Sequence, residues 1–250
     1  MTSVKKLKSK EINSLIKSFK DHGLLNNYDI VWILEQSKRT ARWEVFSTDD
    51  ENLSCLIKKD NYFWLCCEKG ADIERFYKKI RQQEDFFIHC YQGWVKNYFI
   101  EKVYNVICKS RSYYYVTQEN FNSSKKNDSS LLKLDDIKLD QDWYSKELLD
   151  FLIQKQKIYG ITEDKDLIAW AYVDTITKSI AEVYKVEVHP LKRRRGYGKQ
   201  VLSAAIESLL KTEDIVVFNV GIDNEAAVNM IKKLGFKEQG KEFRLRKIQQ

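Results

Sequence analysis

A polar segment near the middle of the chain most constrains how these 250 residues can fold. Residues 120–130 have the sequence Asn-Phe-Asn-Ser-Ser-Lys-Lys-Asn-Asp-Ser-Ser, which is rich in Ser and Asn and poor in apolar residues. Such a composition is typical of a linker rather than of a buried element. We therefore predict two domains, residues 1–119 and residues 131–250, joined by a linker over residues 120–130.

The composition is that of a folded protein with a charged surface. Hydrophobic residues make up 43% of the chain and charged residues 32%, which supports sizeable cores and excludes a largely disordered chain. No apolar run approaches the roughly 18 residues that a membrane helix needs. The first residues, Met-Thr-Ser-Val-Lys-Lys-Leu-Lys, have no apolar signal core. We expect a cytoplasmic protein with no membrane partner.

The five cysteines predict reduced thiols rather than a disulfide framework or a metal site. They are odd in number and show no C-x-x-C spacing. A catalytic cysteine would need a histidine partner, and only His89 is close to one in sequence. Buried free thiols behave as small hydrophobic side chains, which is the role we expect here. We expect no bound metal.

Hydrophobic periodicity predicts a mixed α/β order in both halves. In the first half we predict a helix near residues 11–19, strands at 43–46, 53–57 and 62–67, a helix at 72–80, a strand at 86–90, a helix at 93–103 and one or two strands over 104–116. In the second half we predict strands at 131–134, 157–161, 167–173, 180–188, 215–220 and 236–246 and helices at 144–154, 198–210 and 224–234. The two orders indicate a structural duplication, although no residue-level repeat is visible.

Residues 186–199 carry the clearest functional pattern, Val-Glu-Val-His-Pro-Leu-Lys-Arg-Arg-Arg-Gly-Tyr-Gly-Lys. A predicted strand ends at the chain's single proline, and a basic turn with Gly196 and Gly198 begins a helix. The first N–H groups of a helix have no partner within the helix and bind phosphate well. Glycine allows the main chain to approach an anion closely. In isolation, a run of basic residues at such a turn is usually only solvated charge.

The whole segment resembles the cofactor-binding motif of the GNAT superfamily of N-acetyltransferases. The family signature R/Q-x-x-G-x-G/A is matched by Arg193-Arg194-Arg195-Gly196-Tyr197-Gly198, after a V-x-V-x-P strand and before a helix. Further along, Asn-Glu-Ala-Ala at residues 224–227 and Lys-Leu-Gly-Phe at residues 233–236 resemble two more blocks of the family. Residues 131–250 are thus identified as similar to a GNAT domain.

The resemblance implies a central, mostly antiparallel sheet flanked by helices, with strands that splay at the cofactor site. It implies acetyl-CoA or another acyl-CoA as co-substrate, with its pyrophosphate on the basic turn and its pantetheine arm beside residues 186–188. Asn224 would meet this cofactor or simply cap the next helix. The implied binding residues are Val186, Glu187, Val188, Arg193, Arg194, Arg195, Gly196, Tyr197, Gly198, Lys199 and Asn224.

The implied reaction is attack of a primary amine, on a small molecule or a peptide, at a thioester. A main-chain N–H near Val188 would stabilise the oxyanion. Glu182, where histone-acetyltransferase-like members keep their general base, or Glu187 would take the proton of the ammonium group. Strict alternation puts Glu182 and Tyr184 on the face of Val186 and Val188, and Glu187 on the other, unless a bulge intervenes, as it does in the family.

One position departs from the family pattern. Ile231 stands where the family commonly has a tyrosine that protonates the departing thiolate. Tyr184 or Tyr172 could replace it, the thiolate could leave unassisted, or the domain could bind acyl-CoA without rapid turnover. The main hypothesis is an acyl-CoA-dependent N-acetyltransferase, monomeric or homodimeric. The alternative is a catalytically weak protein that binds or senses acyl-CoA.

The first half resembles a degenerate copy of the same unit. Its corresponding loop, Glu-Lys-Gly-Ala-Asp-Ile-Glu at residues 68–74, has one glycine and three acids and would repel a pyrophosphate. Tandem members of the superfamily, including the glycine N-acyltransferase-like group, pair a degenerate first copy with a competent second one. The net charge of +7 would also suit nucleic acid, but no groove-reading motif is visible, so we expect no nucleic-acid partner.

Overall fold

The computed structural model describes residues 4–38, 40, 42–48, 53–68, 70–123, 130–131, 137 and 143–247. Within these residues the chain forms seven α-helices and twelve β-strands. It divides into two compact units, residues 1–112 together with 240–250, and residues 113–239. The mixed α/β class predicted from the sequence is confirmed.

The first unit contains helices on a mostly antiparallel sheet. Its helices are α1 (Ser9–Asp21), α2 (Leu24–Ser37), α3 (Gly70–Ile80) and α4 (Gly93–Lys102). Its strands are β1 (Lys5–Lys6), β2 (Trp43–Ser47), β3 (Cys55–Lys59), β4 (Tyr62–Cys66), β5 (Phe87–Cys90), the first part of β6 (Val106–Thr117) and most of the last strand, β12 (Lys237–Lys247). Strands β1 to β4 pair antiparallel in sequence order, β4 and β5 pair parallel, and β12 pairs antiparallel with β5.

The second unit has the predicted order of elements. Its helices are α5 (Lys146–Gln154), α6 (Tyr197–Leu209) and α7 (Glu225–Lys233). Its strands are β7 (Ser130–Leu131), β8 (Ile158–Glu163), β9 (Asp166–Thr175), β10 (Ile180–Val188) and β11 (Ile215–Gly221). Strands β7 to β10 pair antiparallel in sequence order, and β10 pairs parallel with β11.

Helix α2 is the main element that the sequence prediction missed. Its buried side chains include Tyr28, Ile30, Val31 and Leu34, which point in several directions around the helix. An amphipathic helix is recognised by one apolar stripe, and a helix that is apolar on most sides lacks that signal. Strand β1 was also missed, because two lysines form it.

The boundary between the compact units falls inside strands rather than in a loop. Ser112 and Tyr113 both lie in β6, and the chain returns to the first unit at Gly240 in β12. The predicted linker lies partly outside the described residues, since residues 124–129 are not among them. The domain limits 1–119 and 131–250 therefore stay a prediction.

The second unit is held together by one large apolar cluster between its sheet and helices α6 and α7. Its buried members include Val183 of β10, Phe218 of β11, Val201 and Ile206 of α6, and Ile231 of α7. Each Å² of apolar surface removed from water contributes about 25 cal/mol of stabilisation. Such a cluster is therefore the main stabilising contribution. The cluster fixes β10 and the start of α6, which carry the predicted site.

The cysteines occupy the first unit as free thiols. Cys55, Cys66, Cys67 and Cys90 are buried and Cys108 is half-buried. Burial raises the pKa of Cys66 to about 11, so this thiol stays protonated at neutral pH. The prediction of reduced thiols that pack as small hydrophobic groups is confirmed for the four buried cysteines.

A buried carboxylate joins β5 to β12 in the first unit. Glu242 Oε1 lies 2.7 Å from His89 Nδ1, and Glu242 Oε2 lies 2.9 Å from Arg244 Nη2. Burial alone would raise the pKa of Glu242, but the hydrogen bond to His89 and the charge of Arg244 outweigh burial and hold the pKa at about 2. The carboxylate is therefore ionised throughout the neutral range and stabilises the folded state there.

We predict that Glu242→Gln destabilises the protein by about 3 kcal/mol at neutral pH. The folded-state pKa lies below the ordinary value, so this stabilisation is present above pH 4.5 and is lost as the pH falls from 4.5 towards 2. Urea unfolding of both proteins from pH 2.5 to pH 8 measures the difference. A gap between them that stays constant down to pH 3 would contradict the assignment.

Candidate functional site

The basic turn predicted from the sequence links strand β10 to helix α6. After β10 ends at Val188, a short 3₁₀ helix spans Pro190–Lys192 and α6 begins at Tyr197. Gly196 is the N-cap residue and provides no side-chain hydrogen bond to the helix. The first N–H groups of α6 are therefore left for solvent or for an anion.

The two glycines of this turn are required for different reasons. Gly196 has a φ of +91°, a left-handed conformation that other residues rarely adopt. A Cβ at Gly198 would lie 3.3 Å from Val188 Cγ2 and 3.5 Å from Met230 Sδ. Gly198 thus faces the protein interior and lets α6 pack closely on β10. The sequence analysis expected both glycines to serve close approach of an anion, and the structure adds a packing role at Gly198.

A carboxylate at the end of β8 anchors this segment. Glu163 Oε2 lies 2.7 Å from Lys192 Nζ, and the Tyr197 hydroxyl donates to Glu163 Oε1 at 2.7 Å. The hydrogen bond from Lys192, followed by that from Tyr197, lowers the pKa of Glu163. Conversely, the hydrogen bond to Glu163 raises the pKa of Tyr197. No local feature of the sequence around Glu163 predicts this contact.

The remaining cations of the turn are at the surface. Arg193, Arg194 and Arg195 are exposed, and Lys199 is half-buried at the first turn of α6. Arg193 Nε donates to the main-chain oxygen of Val188 at 3.3 Å. Exposed guanidinium groups around uncapped helix N–H groups give the turn the charge and the donors that bind phosphate oxygens.

Strands β10 and β11 pair only over their first residues. Their parallel register runs from Ile180↔Ile215 to Val183↔Phe218, whereas β10 continues to Val188 and β11 to Gly221. The predicted separation of these two strands is therefore present in the fold, beside the basic turn.

The main chain of Val188 is directed towards this separation. The His189 N–H donates to the Ile168 oxygen of β9 at 2.8 Å, and Val188 lies opposite Ala169 in the same antiparallel ladder. Hydrogen-bonded and non-hydrogen-bonded pairs alternate in such a ladder, so the N–H and C=O of Val188 point away from β9. The N–H and C=O of Val186, which lies opposite Ala171 two residues earlier in the ladder, also point away from β9.

A β-bulge changes the faces of β10. The register with β9 shifts between Val183 and Lys185, which leaves Tyr184 as the extra residue. After the shift, Lys185 lies opposite Tyr172 and Glu187 opposite Trp170, while Glu182 before it lies opposite Asp174. Directly opposed residues share a face.

Both candidate carboxylates therefore lie on one face of β10, and strict alternation was wrong beyond the bulge. Val186 and Val188 lie on the other face, where they pack against the apolar cluster of α6. The bulge that the family resemblance implied resolves the conflict between Glu182 and Glu187.

Glu182 is a buried carboxylate with an amide partner. It is 6% exposed, and its Oε1 accepts a hydrogen bond from Asn219 Nδ2 at 2.8 Å. Asn219 is 7% exposed and directly follows Phe218, the last residue of β11 that pairs with β10. The sequence analysis counted Asn219 as part of an apolar strand and did not select it. Glu187, by contrast, is half-buried and forms an ion pair of 2.8 Å with Lys185.

Two tyrosines lie beside these carboxylates. The rings of Tyr172 and Tyr184 are stacked with centroids 5.1 Å apart. Burial first, and then the charges of Asp174 and Glu182, raise the pKa of Tyr172. Its hydroxyl is therefore a proton donor rather than a phenolate at neutral pH. Lys157 forms an ion pair with Asp174 on the same face.

Two positions of helix α7 have structural roles. The side chain of Asn224 accepts a hydrogen bond from the Ala227 N–H at 3.1 Å and caps the helix, so the capping role considered for it is confirmed. Ile231 is fully buried in the apolar cluster. A tyrosine at Ile231 would have to displace core side chains, so introducing one is no simple test for a missing acid.

Among the residues that the structure describes, no three or more His, Cys, Asp or Glu side chains are grouped so that they could hold a metal ion. The helices there are too short or too polar to span a bilayer.

A family model and a curated relative each match part of this chain. The family model described as FR47-like protein matches residues 158–245, from β8 to β12. An uncharacterised N-acetyltransferase of Methanocaldococcus jannaschii is 36% identical over 63 residues, which cover 25% of this chain and 28% of that protein. The chain thus matches about a quarter of the length of this curated relative.

Solved structures match the whole chain. A GNAT-family acetyltransferase from Colwellia psychrerythraea aligns with a TM-score of 0.64 at 14% identity, covering 98% of this chain and 100% of that one. A tandem GNAT protein of the clavulanic acid biosynthesis pathway aligns with a TM-score of 0.61 at 11% identity, covering 98% of this chain and 97% of that one. A Drosophila protein aligns with a TM-score of 0.71 at 12% identity, covering 99% of both chains. The fold is that of a GNAT N-acetyltransferase.

The GNAT fold brings most of the predicted residues onto one strand–turn–helix segment. Glu182, Tyr184 and residues 186–188 lie on β10, residues 193–196 form the turn, and residues 197–199 begin α6. Asn224 lies on a different element, at the start of α7. The resemblance to GNAT proteins found in the sequence is confirmed at the level of the fold.

We predict that Gly198→Val destabilises the protein by about 1–3 kcal/mol, because the new side chain overpacks against Val188 and Met230. Gly93→Val is the matched control, since a Cβ at this first residue of α4 meets nothing within 4 Å. Thermal and urea unfolding of both variants measure the effect. Equal stability of the two variants would show that Gly198 does not face the core.

Proposed function

We propose that this protein is an acetyl-CoA-dependent N-acetyltransferase, or one that uses a related acyl-CoA, acting on a primary amine of a small molecule or peptide. The observation that carries the proposal is how two features follow each other along the chain. Strand β10 stops pairing with β11 before it ends, and the turn after it leads into the basic, uncapped start of α6. At this junction a strand offers main-chain groups and a buried carboxylate within a few residues of each other. The FR47-like match covers the same segment.

The residues of the turn fit the acyl-CoA that the fold implies. Uncapped N–H groups of residues 197–199, with exposed Arg194 and Arg195 around them, would hold the pyrophosphate. The left-handed Gly196 leaves this position open, since a Cβ there would meet no atom nearer than 4.0 Å. The outward main chain of Val186 and Val188 would hold an extended arm as an added strand does.

The chemical roles follow from the same geometry. Bound acetyl-CoA supplies a thioester carbonyl that an amine can attack. The Val188 N–H, directed towards the separation between β10 and β11, would donate to the developing oxyanion. Glu182 would take a proton from the ammonium form of the acceptor, directly or through water. Protonated Tyr172 and its stacked neighbour Tyr184 are the hydroxyl donors on this face for the departing thiolate.

Glu182 is the better candidate base of the two carboxylates. Burial and the hydrogen bond from Asn219 hold Glu182 in one place, whereas Glu187 is more exposed and forms an ion pair with Lys185. A base must be ionised and correctly oriented before the acceptor arrives. Glu187 would instead flank the pantetheine arm, since it lies between Val186 and Val188 on β10.

We further propose a tandem arrangement with a degenerate first copy, as in glycine N-acyltransferase-like proteins. In the first unit, the loop after β4 leads into α3 with Asp72 buried in its first turn. This carboxylate lies 3.4 Å from Arg75 Nη1, and so already places negative charge at the helix start. A phosphate would be repelled there.

A second candidate function is binding or sensing of acyl-CoA with weak turnover. It is favoured by Ile231, which is buried in the core at the position where the family commonly has its acid. A CoA thiol is a tolerable leaving group as the thiolate, so loss of this acid lowers the rate rather than abolishing transfer. Measured turnover of the unaltered protein separates the two functions.

We predict that Gly196→Val weakens acetyl-CoA binding by on the order of 10-fold or more, because a left-handed turn is needed to present the helix N–H groups. Gly70→Val in the first unit is the control, since a Cβ at Gly70 meets nothing within 4 Å. Isothermal titration calorimetry with acetyl-CoA gives both affinities. Equal losses at the two glycines would contradict a single site.

We also predict that Glu182→Gln lowers kcat/KM for an amine by on the order of 10²-fold near neutral pH, and by less at high pH, where the acceptor is already deprotonated. Affinity for acetyl-CoA should change little. Glu187→Gln is the matched control on the same face. Because Cys108 is only half-buried, released CoA is best quantified by chromatography over a panel of amines. A silent Glu182→Gln beside an impaired Glu187→Gln would reverse the assignment.

A further inference from the structure

We infer that Asn219 is a positioning residue for Glu182, which it orients and keeps ionised through the hydrogen bond from its side-chain amide. The inference rests on the proposed role of Glu182 as the base. The hydrogen bond of Asn219 is to Glu182, so we expect its effect to reach the reaction through Glu182.

The position of Asn219 makes this contact possible. Glu182 lies opposite Val217 in the parallel pair, and Asn219 is two residues further along β11. Residues two apart on a strand share a face, so the Asn219 side chain lies on the face of Glu182. It is also the first residue of β11 beyond the paired segment, where the strands have separated enough for a side chain to reach back to Glu182 Oε1 at 2.8 Å.

The surroundings show that an amide is not needed for packing. The neighbours of Asn219 along β11 are Val216, Val217, Phe218 and Val220, all buried. A β-branched apolar residue would continue this run with better strand propensity. Such a residue could not make the hydrogen bond that Asn219 Nδ2 donates to the Glu182 carboxylate. The amide and Glu182 therefore form one unit.

The charges that face Glu182 explain why a donor is useful there. Asp174 lies opposite it on β9. Tyr172, whose pKa is raised in part by the charge of Glu182, stacks on Tyr184. A second carboxylate disfavours ionised Glu182, and burial acts in the same direction. Lys157, after α5, offsets part of the charge of Asp174 by an ion pair. The neutral Asn219 amide stabilises the ionised form of Glu182 at every pH.

The test uses isosteric substitutions in the full chain. Asn219→Leu removes the donor, and Asn219→Asp replaces it with a second carboxyl group. We expect kcat/KM for the amine to fall by about 10-fold at neutral pH in Asn219→Leu, as for loss of a hydrogen bond to a charged group. We expect the acid limb of the pH profile of kcat/KM to move to higher pH by about one unit in Asn219→Leu, and by more in Asn219→Asp.

A matched control separates positioning from stability. Val217→Ala removes buried methyl groups on the same strand and face, opposite Glu182, and should lower stability without moving the acid limb. An acid limb that moves equally in Val217→Ala would overturn the inference. If Asn219→Leu does not fold, the isosteric Asn219→Asp decides the same question, since its limb must still move upwards.

A double substitution tests whether the effect passes through Glu182. In a Glu182→Gln background, Asn219→Leu should change kcat/KM by less than about 2-fold, because coupled residues are not additive. An equal loss in both backgrounds would overturn the inference.

One readout needs no turnover. A carbon-13 NMR titration of the Glu182 carboxyl should show a higher midpoint in Asn219→Leu than in the unaltered protein. An unchanged midpoint overturns the inference. If no amine is acetylated, the proposed function fails, and this titration still decides the role of Asn219.

Discussion

The early end of pairing between β10 and β11 is the constraint on which the rest of the site depends. The two parallel strands share a register only as far as Val183↔Phe218. Beyond that pair, the main chain of β10 keeps its bonds to β9 on one side and offers N–H and C=O groups on the other. Because Val183 and Phe218 are both buried in the apolar cluster under α6, this polar main chain is presented without a collapse of the sheet.

The bulge at Tyr184 adds side-chain chemistry to the same strand. By shifting the alternation once, it keeps Val186 and Val188 on the core side while Glu182 and Glu187 share the opposite face. The strand can therefore pack against α6 and still carry two acids on one surface. A regular strand could do only one of these, since alternation fixes every second residue.

The sequence predicts this fold well where local chemistry is decisive. The order of elements from β7 to β12, the start of α6 at the glycine turn and the cap at Asn224 all follow from periodicity and turn residues. The bulge, the partners of Glu182 and the anchor at Glu163 could not be predicted in the same way. Each depends on which residues of distant strands become neighbours. Neither Asn219, within a valine-rich run, nor Glu163, at the end of β8, has a local sequence signature.

The path of the chain through β12 limits how the protein can be divided. Phe243 and Leu245, on the second half of this strand, are buried in the apolar cluster of the first unit and lie opposite residues of β5. A fragment that began after the polar segment would retain these side chains without their partners. It would expose an apolar strand edge, which favours self-association. Excision of the segment that carries the candidate site would therefore require redesign of the last strand.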